Sequence, residues 1–156
     1  MKSLTLFRHA KTERDSTSGR DFDRRLIERG QNDSRLMGEE LRALGLEFDL
    51  VLSSPAARAA ETAELAGLTP RFDERIYDAA SSELLAIVQS ADNDTDRLAI
   101  VGHNPGFERL ASRLIGQIVE MPTGSFIEIE IPVDRWTDVD EGNGRVVRFV
   151  RPKELR

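Results

Sequence analysis

The chain has 156 residues, no cysteine and a formal charge of −6, with 39% hydrophobic and 32% charged residues. That length fits one domain, residues 1–156, with a proper apolar core; the composition excludes a wholly disordered chain, and the missing cysteine excludes disulfides and thiolate metal sites. Positive charges alternate with acidic ones, as in Glu13-Arg14-Asp15 and Asp23-Arg24-Arg25. The balance argues against a broad nucleic-acid surface, and any anion site is then a local pocket on an acidic body.

Met1-Lys2-Ser3 leads straight into an apolar segment without the pattern of a signal peptide. No apolar run approaches the roughly 20 residues that span a bilayer. The expectation is a cytoplasmic chain with no membrane partner.

Leu4-Thr5-Leu6-Phe7 reads as a short buried strand that ends by presenting Arg8, His9, Lys11 and Thr12. A polar loop from Lys11 to about Asp23 follows, longer than most connections and therefore a candidate functional segment. From Arg29 to Leu44, Leu36, Met37, Leu41 and Leu44 share one helical face, and Gly45 supplies a C-cap. Asp49 to Ser53 is a second buried strand. Ser54-Pro55 reads as a helix start, with serine as N-cap and proline at the first position. The alanine-rich helix then runs to about Ala66 and stops at Gly67.

Pro70 to Phe72 fits a short edge strand. Ser81 or Ser82 is expected to cap a helix carrying Leu84, Leu85, Ile87 and Val88. Arg97 to Gly102 is the third strong strand, with His103 at its end. Phe107, Leu110, Ala111, Leu114 and Ile115 have the spacing of an amphipathic helix. Ser125 to Ile131 alternates apolar with polar residues, which predicts a strand with one wet face. Asp140 to Gly144 is a turn, and Arg145 to Val150 returns as its hairpin partner. Strands alternating with helices predict an α/β fold: a three-layer α/β/α domain around a mainly parallel sheet with an antiparallel edge hairpin.

Open α/β sheets bind ligands beyond the carboxyl ends of their strands. Arg8, His9 and His103 fall there, and Arg58 lies one turn into the helix after the second strand. Each has a plainer reading: a hydrogen-bonded core histidine, a turn, an exposed helix arginine. Together they describe a pocket for a tetrahedral oxyanion, since arginine offers bidentate hydrogen bonds to phosphate and a neutral imidazole is a nucleophile. Arg8 beside His9 is expected to keep that imidazole neutral. The helix behind His103 is expected to offer free N–H groups to an anion. Arg58 sits where the helix dipole disfavours a cation, a conflict that a bound phosphate would remove. Metal binding has little support, because the two histidines are 94 positions apart and no local ligand spacing exists.

Arg8-His9 after an N-terminal strand, Ser53-Ser54-Pro55-x-x-Arg58-Ala59-x-x-Thr62, and Gly102-His103-Asn104-Pro105 together resemble the histidine phosphatase superfamily. The short length and Leu26-Ile27-Glu28-Arg29-Gly30 look like its SixA-type branch of phosphohistidine phosphatases. The resemblance implies a phosphoglycerate mutase-like fold and a phosphatase that needs no metal or other cofactor. His9 would be the nucleophile, and Arg8, Arg58 and His103 would hold the phosphoryl oxygens. Arg24 matches a further phosphate-contacting arginine of the family, with Arg25 beside it leaving the register open. Two departures stand out: the usual Arg-His-Gly is here Arg8-His9-Ala10, and the general acid is not obvious. Asp78 is the nearest candidate by position, and a turn residue is its plainer reading. Without an acid, substrates with good leaving groups are favoured, such as phosphohistidine on another protein. The competing readings are a phosphatase for a small phosphorylated metabolite and a non-catalytic phosphate-binding module.

Overall fold

A computed structural model describes residues 1–156. In chain order the elements are β1 (Lys2–Arg8), α1 (Glu28–Ala43), β2 (Leu50–Ser53), α2 (Ala57–Leu65), β3 (Arg71–Phe72), α3 (Ser81–Gln89), β4 (Arg97–Gly102), α4 (Gly106–Ile115), β5 (Phe126–Ile131) and β6 (Arg145–Val150). The six strands form one sheet in the order β3-β2-β4-β1-β5-β6. β3, β2, β4 and β1 run parallel, while β5 is antiparallel to β1 and β6 antiparallel to β5. This is the expected mixed sheet, with the final hairpin at its antiparallel edge.

The side chains of β1 and β4 explain the layers. Strand residues alternate between faces, so a strand buried on both sides must be apolar throughout. Leu4, Leu6, Leu98 and Ile100 point into a cluster with Leu84 and Val88 of α3 and Leu110 and Leu114 of α4. Phe7 and Val101 point the other way, into a cluster with Met37 and Leu41 of α1 and Ala59 and Ala63 of α2. Two helices therefore cover each face, and the core is two apolar layers on either side of one sheet.

Helix ends follow the chemistry of their flanking residues. Gly45 and Gly67 take positive φ just past α1 and α2, and the next residue donates back to the helix (Leu46 to Leu41, Leu68 to Ala63, each 2.9 Å). Only glycine adopts that turn without strain, so both helices stop there. At Gly30 the requirement is contact: a Cβ there would stand 2.1 Å from the Lys11 carbonyl oxygen. The start of α1 is thus pressed against the segment leaving β1.

Three local expectations are corrected. α2 begins at Ala57 and its N-cap, Ala56, supplies no side chain; the Ser54 hydroxyl accepts the Ala56 N–H at 3.2 Å just ahead of the helix and also contacts His103. α3 is preceded by Ala80, whose N–H is taken by the Glu83 carboxylate at 3.0 Å, so Ser81 and Ser82 lie inside the helix. The wet face of β5 is covered. Phe126 is fully buried beneath the α1/α2 layer, and Glu128 is 8% exposed because Arg148 of β6 reaches it at 2.8 Å.

Candidate active site

Parallel strands bring their carboxyl ends to one sheet edge. Arg8 lies opposite Gly102 and Ser53 opposite Val101, so the residues that follow each strand meet there. The His9 and His103 ring centroids are 5.3 Å apart. The first turn of α2 adds Arg58. His9, Arg58 and His103 are 7%, 6% and 8% exposed, unusually low for such polar groups.

The bonding of His9 fixes its tautomer. Its Nδ1 lies 2.8 Å from the Ala10 carbonyl oxygen. A carbonyl can only accept, so Nδ1 carries the proton and Nε2 of the neutral ring holds the free lone pair. His103 contacts Ser54 instead, Nε2 to Oγ at 2.7 Å. Four buried side-chain polar atoms lack a hydrogen-bond partner: Thr5 Oγ1, Arg8 Nε, Arg58 Nε and His103 Nδ1. Three of the four belong to the predicted site. Buried polar atoms are normally hydrogen-bonded, so three unpaired ones at one sheet edge single it out as a candidate ligand site.

Burial sets the charge state of both histidines. Desolvation pulls His9 down to about 3, with His103, Arg58 and Arg8 adding smaller repulsions. His103 is pulled to about 4, by burial first and Arg58 second. Arg8 is the weakest of the causes at His9, which corrects the expectation that its adjacent charge keeps the ring neutral. Burial does it.

The depressed values carry a stability prediction. Between about pH 4 and 6.5 the unfolded chain binds protons that the folded histidines refuse, so acidification destabilises the fold. Each imidazole contributes a slope of roughly 1.4 kcal/mol per pH unit inside its window. Urea titrations at about pH 7 and about pH 5 should show the loss. A His9→Asn, His103→Asn double variant should show a flatter dependence.

Arg58 is matched in the folded chain by Asp21, on a single 3-10 turn, Asp21–Asp23, at the end of the long polar loop. Arg58 donates to the Asp21 carbonyl at 2.8 Å and to its carboxylate at 3.0 Å. The Tyr77 hydroxyl donates to the same carboxylate oxygen at 2.7 Å, and Arg24 holds the other at 3.0 Å. The Tyr77 hydrogen bond, followed by those from Arg24 and Arg58, holds Asp21 at about 2. Asp21 is therefore ionised at neutral pH and is no proton donor. Tyr77 also sets its ring edge-on to His103, with centroids 5.7 Å apart.

The other predicted residues fall into place unevenly. Arg24 faces the site through Asp21, its remaining nitrogens engaged by Thr12 and the Glu13 carbonyl. Arg25 turns away to Glu61 on α2, so Arg24 is the one of the pair that reaches Asp21. Asp78 is exposed, with φ of 55°, and its carboxylate takes no hydrogen bond from any of the site residues. The start of α4 offers less to an anion than expected. The Phe107 N–H goes to the His103 carbonyl and the Glu108 N–H to the Asn104 side chain.

Asp21, Tyr77 and the Ser54–His103 contact were not foreseen. Asp21 lies in the polar loop from Lys11 to about Asp23, which the sequence marks only as a whole, and Ser54 reads as a helix cap. Thr62 was noted only as part of a motif, and its role is now physical. Its hydroxyl accepts the Ala10 N–H at 3.0 Å and donates to the Arg58 carbonyl at 2.7 Å. It ties the residue after the nucleophile candidate to the arginine helix, in a fully buried position. Thr62→Val strands a buried N–H and should lower stability by about 1–3 kcal/mol in denaturant titrations. Thr62→Ser should restore most of it.

The sheet order and the helices on both faces match a phosphoglycerate mutase-like α/β fold. The family model for the histidine phosphatase superfamily (branch 1) matches residues 4–83. The chain belongs to that superfamily. A Mycobacterium tuberculosis protein described as uncharacterized is 31% identical over 145 residues, covering 85% of this chain and 92% of its own. A SixA-type structure from Agrobacterium tumefaciens superposes with a TM-score of 0.83 at 25% identity, covering 97% of this chain and 98% of that one. The protein histidine phosphatase SixA complexed with tungstate gives 0.84 at 22% identity, covering 99% of both chains.

Proposed function

We propose that the protein is a phosphatase that passes a phosphoryl group through His9, with phosphohistidine on another protein as its substrate. One observation carries the reading. Buried donors without partners on Arg8, Arg58 and His103 surround a neutral histidine whose Nε2 is free. The tungstate bound by the SixA structure of the same fold is a tetrahedral oxyanion, and it supports the same assignment.

In the first step the phosphoryl oxygens take hydrogen bonds from Arg8, Arg58 and His103. His9 Nε2 attacks phosphorus, the Nε2–P bond forms, and the bond from phosphorus to the substrate imidazole breaks. The attacking ring of His9 becomes cationic, and its Nδ1–H bond to the Ala10 carbonyl stabilises that charge. The leaving imidazole enters already protonated on its other nitrogen and departs neutral, so no protein acid is required. In the second step water attacks phosphorus, the Nε2–P bond breaks, and the water proton leaves with the phosphate. Phosphoryl transfer of this kind asks the protein for position and charge stabilisation, which the residues supply. Asp21 fixes Arg58 between turnovers, and Arg24 clamps Asp21.

Asp78 separates this reading from a phosphatase acting on small phosphoesters, whose alkoxide leaving groups need an acid. Asp78→Asn should leave phosphoramidate hydrolysis within about twofold, since no proton is asked of it. Alkyl phosphates should be poor substrates for both proteins. A loss of about 100-fold in alkyl phosphate turnover on Asp78→Asn would instead favour the small-metabolite reading.

A further inference from the structure

Beside the phosphoryl pocket runs a groove of about 1280 Å³, far more space than a phosphoryl group needs. It starts at Arg8, whose guanidinium donates to the Met121 carbonyl on its wall at 2.8 Å. It then follows the connection from α4 to β5, along β6, to the C-terminal segment.

Two features of the lining stand out. Apolar side chains are left in solvent: Ile118 is 93% exposed and Val146 39%. A charge pattern opposes that of the whole chain. Lys11, Arg29 and Lys153 line the groove and take no part in any ion pair, on a protein of net charge −6. Its carboxylates are largely spent internally. Asp33 is held by Arg156 at 2.9 Å, and Glu108 accepts from the Asn104 side chain and the Met121 N–H. Glu120 alone stays free on the rim. A positive strip on an acidic body focuses an acidic partner toward one place and repels it elsewhere.

We propose that this groove docks the substrate protein, through an acidic segment with an apolar residue seated on Ile118, next to the phosphohistidine delivered to His9. The proposal rests on the phosphatase reading above and extends it: specificity lies in the groove, because the phosphoryl pocket sees little beyond the phosphate. The covering partner is a polypeptide of opposite charge. A second copy of this chain, itself acidic, is the outcome that opposes it.

The test uses two labelled histidine peptides, one flanked by Glu and Leu, the other by Lys and Leu, each phosphorylated with phosphoramidate. Binding of the unphosphorylated forms is read by fluorescence anisotropy, and hydrolysis of the phosphorylated forms by phosphate release. The variants are Arg29→Glu with Lys153→Glu, and separately Ile118→Asp, all at exposed positions. The wild type should prefer the acidic peptide by about tenfold, and about 0.5 M salt should erase the preference. The charge reversal should raise Kd and KM for the acidic peptide about tenfold while leaving kcat and free phosphoramidate hydrolysis unchanged. Ile118→Asp should weaken the acidic peptide. Equal binding of the two peptides, or unchanged binding in the variants, overturns the docking proposal. So does a dimer in sedimentation that Ile118→Asp dissolves. A wild type that binds the acidic peptide through the groove but releases no phosphate from phosphoramidate overturns the phosphatase reading alone.

Discussion

His9→Ala should lower phosphoramidate hydrolysis by at least about 10⁴-fold, because removing a covalent nucleophile leaves only binding and charge stabilisation. The fold should survive. His9 makes a single side-chain hydrogen bond, to the neighbouring Ala10 carbonyl, and alanine removes a buried imidazole that is costly to protonate. The acid sensitivity of the variant should therefore be reduced. Phosphate binding should persist, since Arg8, Arg58 and His103 are untouched. Retained binding with lost turnover is the signature that separates a nucleophile from a structural histidine. A variant that keeps a tenth of the activity would remove His9 from the chemistry.

Arg58→Ala should cost about 10²–10³ in kcat/KM, the range for losing one preorganised donor to transition-state charge. Its effect extends beyond the phosphoryl group. Asp21 loses the partner that binds both its carbonyl and its carboxylate, leaving Arg24 and Tyr77 to hold it. Arg58→Lys restores the charge without the planar fork that spans two acceptors, so it should recover only part of the rate. If lysine restored full activity, the positive charge alone would matter, and bidentate geometry would lose its place in the account. Steady-state kinetics with phosphoramidate, run beside phosphate inhibition constants, checks both substitutions.

The sequence was legible wherever local pattern and global fold agree. The runs Leu4–Phe7 and Leu98–Val101 are apolar on both faces, which only a covered parallel sheet explains. Parallel strands then force Arg8, His9, Ser54 and His103 to one edge, so convergence of the site followed from the strand pattern. Arg58 was flagged by its conflict with the helix dipole. The folded chain answers that conflict with the Asp21 carboxylate.

What escaped the sequence depends on contacts between distant residues. Asp21 meets Arg58 across 37 positions and Tyr77 across 56, and Ser54 meets His103 across 49. No periodicity records such pairs. Ser54-Pro55 has the chemistry of a helix start, and local propensity favoured that reading until the hydroxyl's partner 49 residues away was visible. Glu128 reads as a solvent-facing strand residue because nothing local announces Arg148 opposite it. The neutral state of His9 was foreseen for the lesser reason: a neighbouring cation is visible in sequence, whereas burial is a property of the whole fold.

The most direct measurement is mass spectrometry of the intact protein after brief exposure to phosphoramidate, quenched at neutral or alkaline pH, with His9→Ala in parallel. The account predicts one phosphoryl group on the wild type, mapped to Nε2 of His9, lost on standing in water and missing from the variant. Phosphate release without any adduct, or an adduct on His103 that His9→Ala retains, would contradict it.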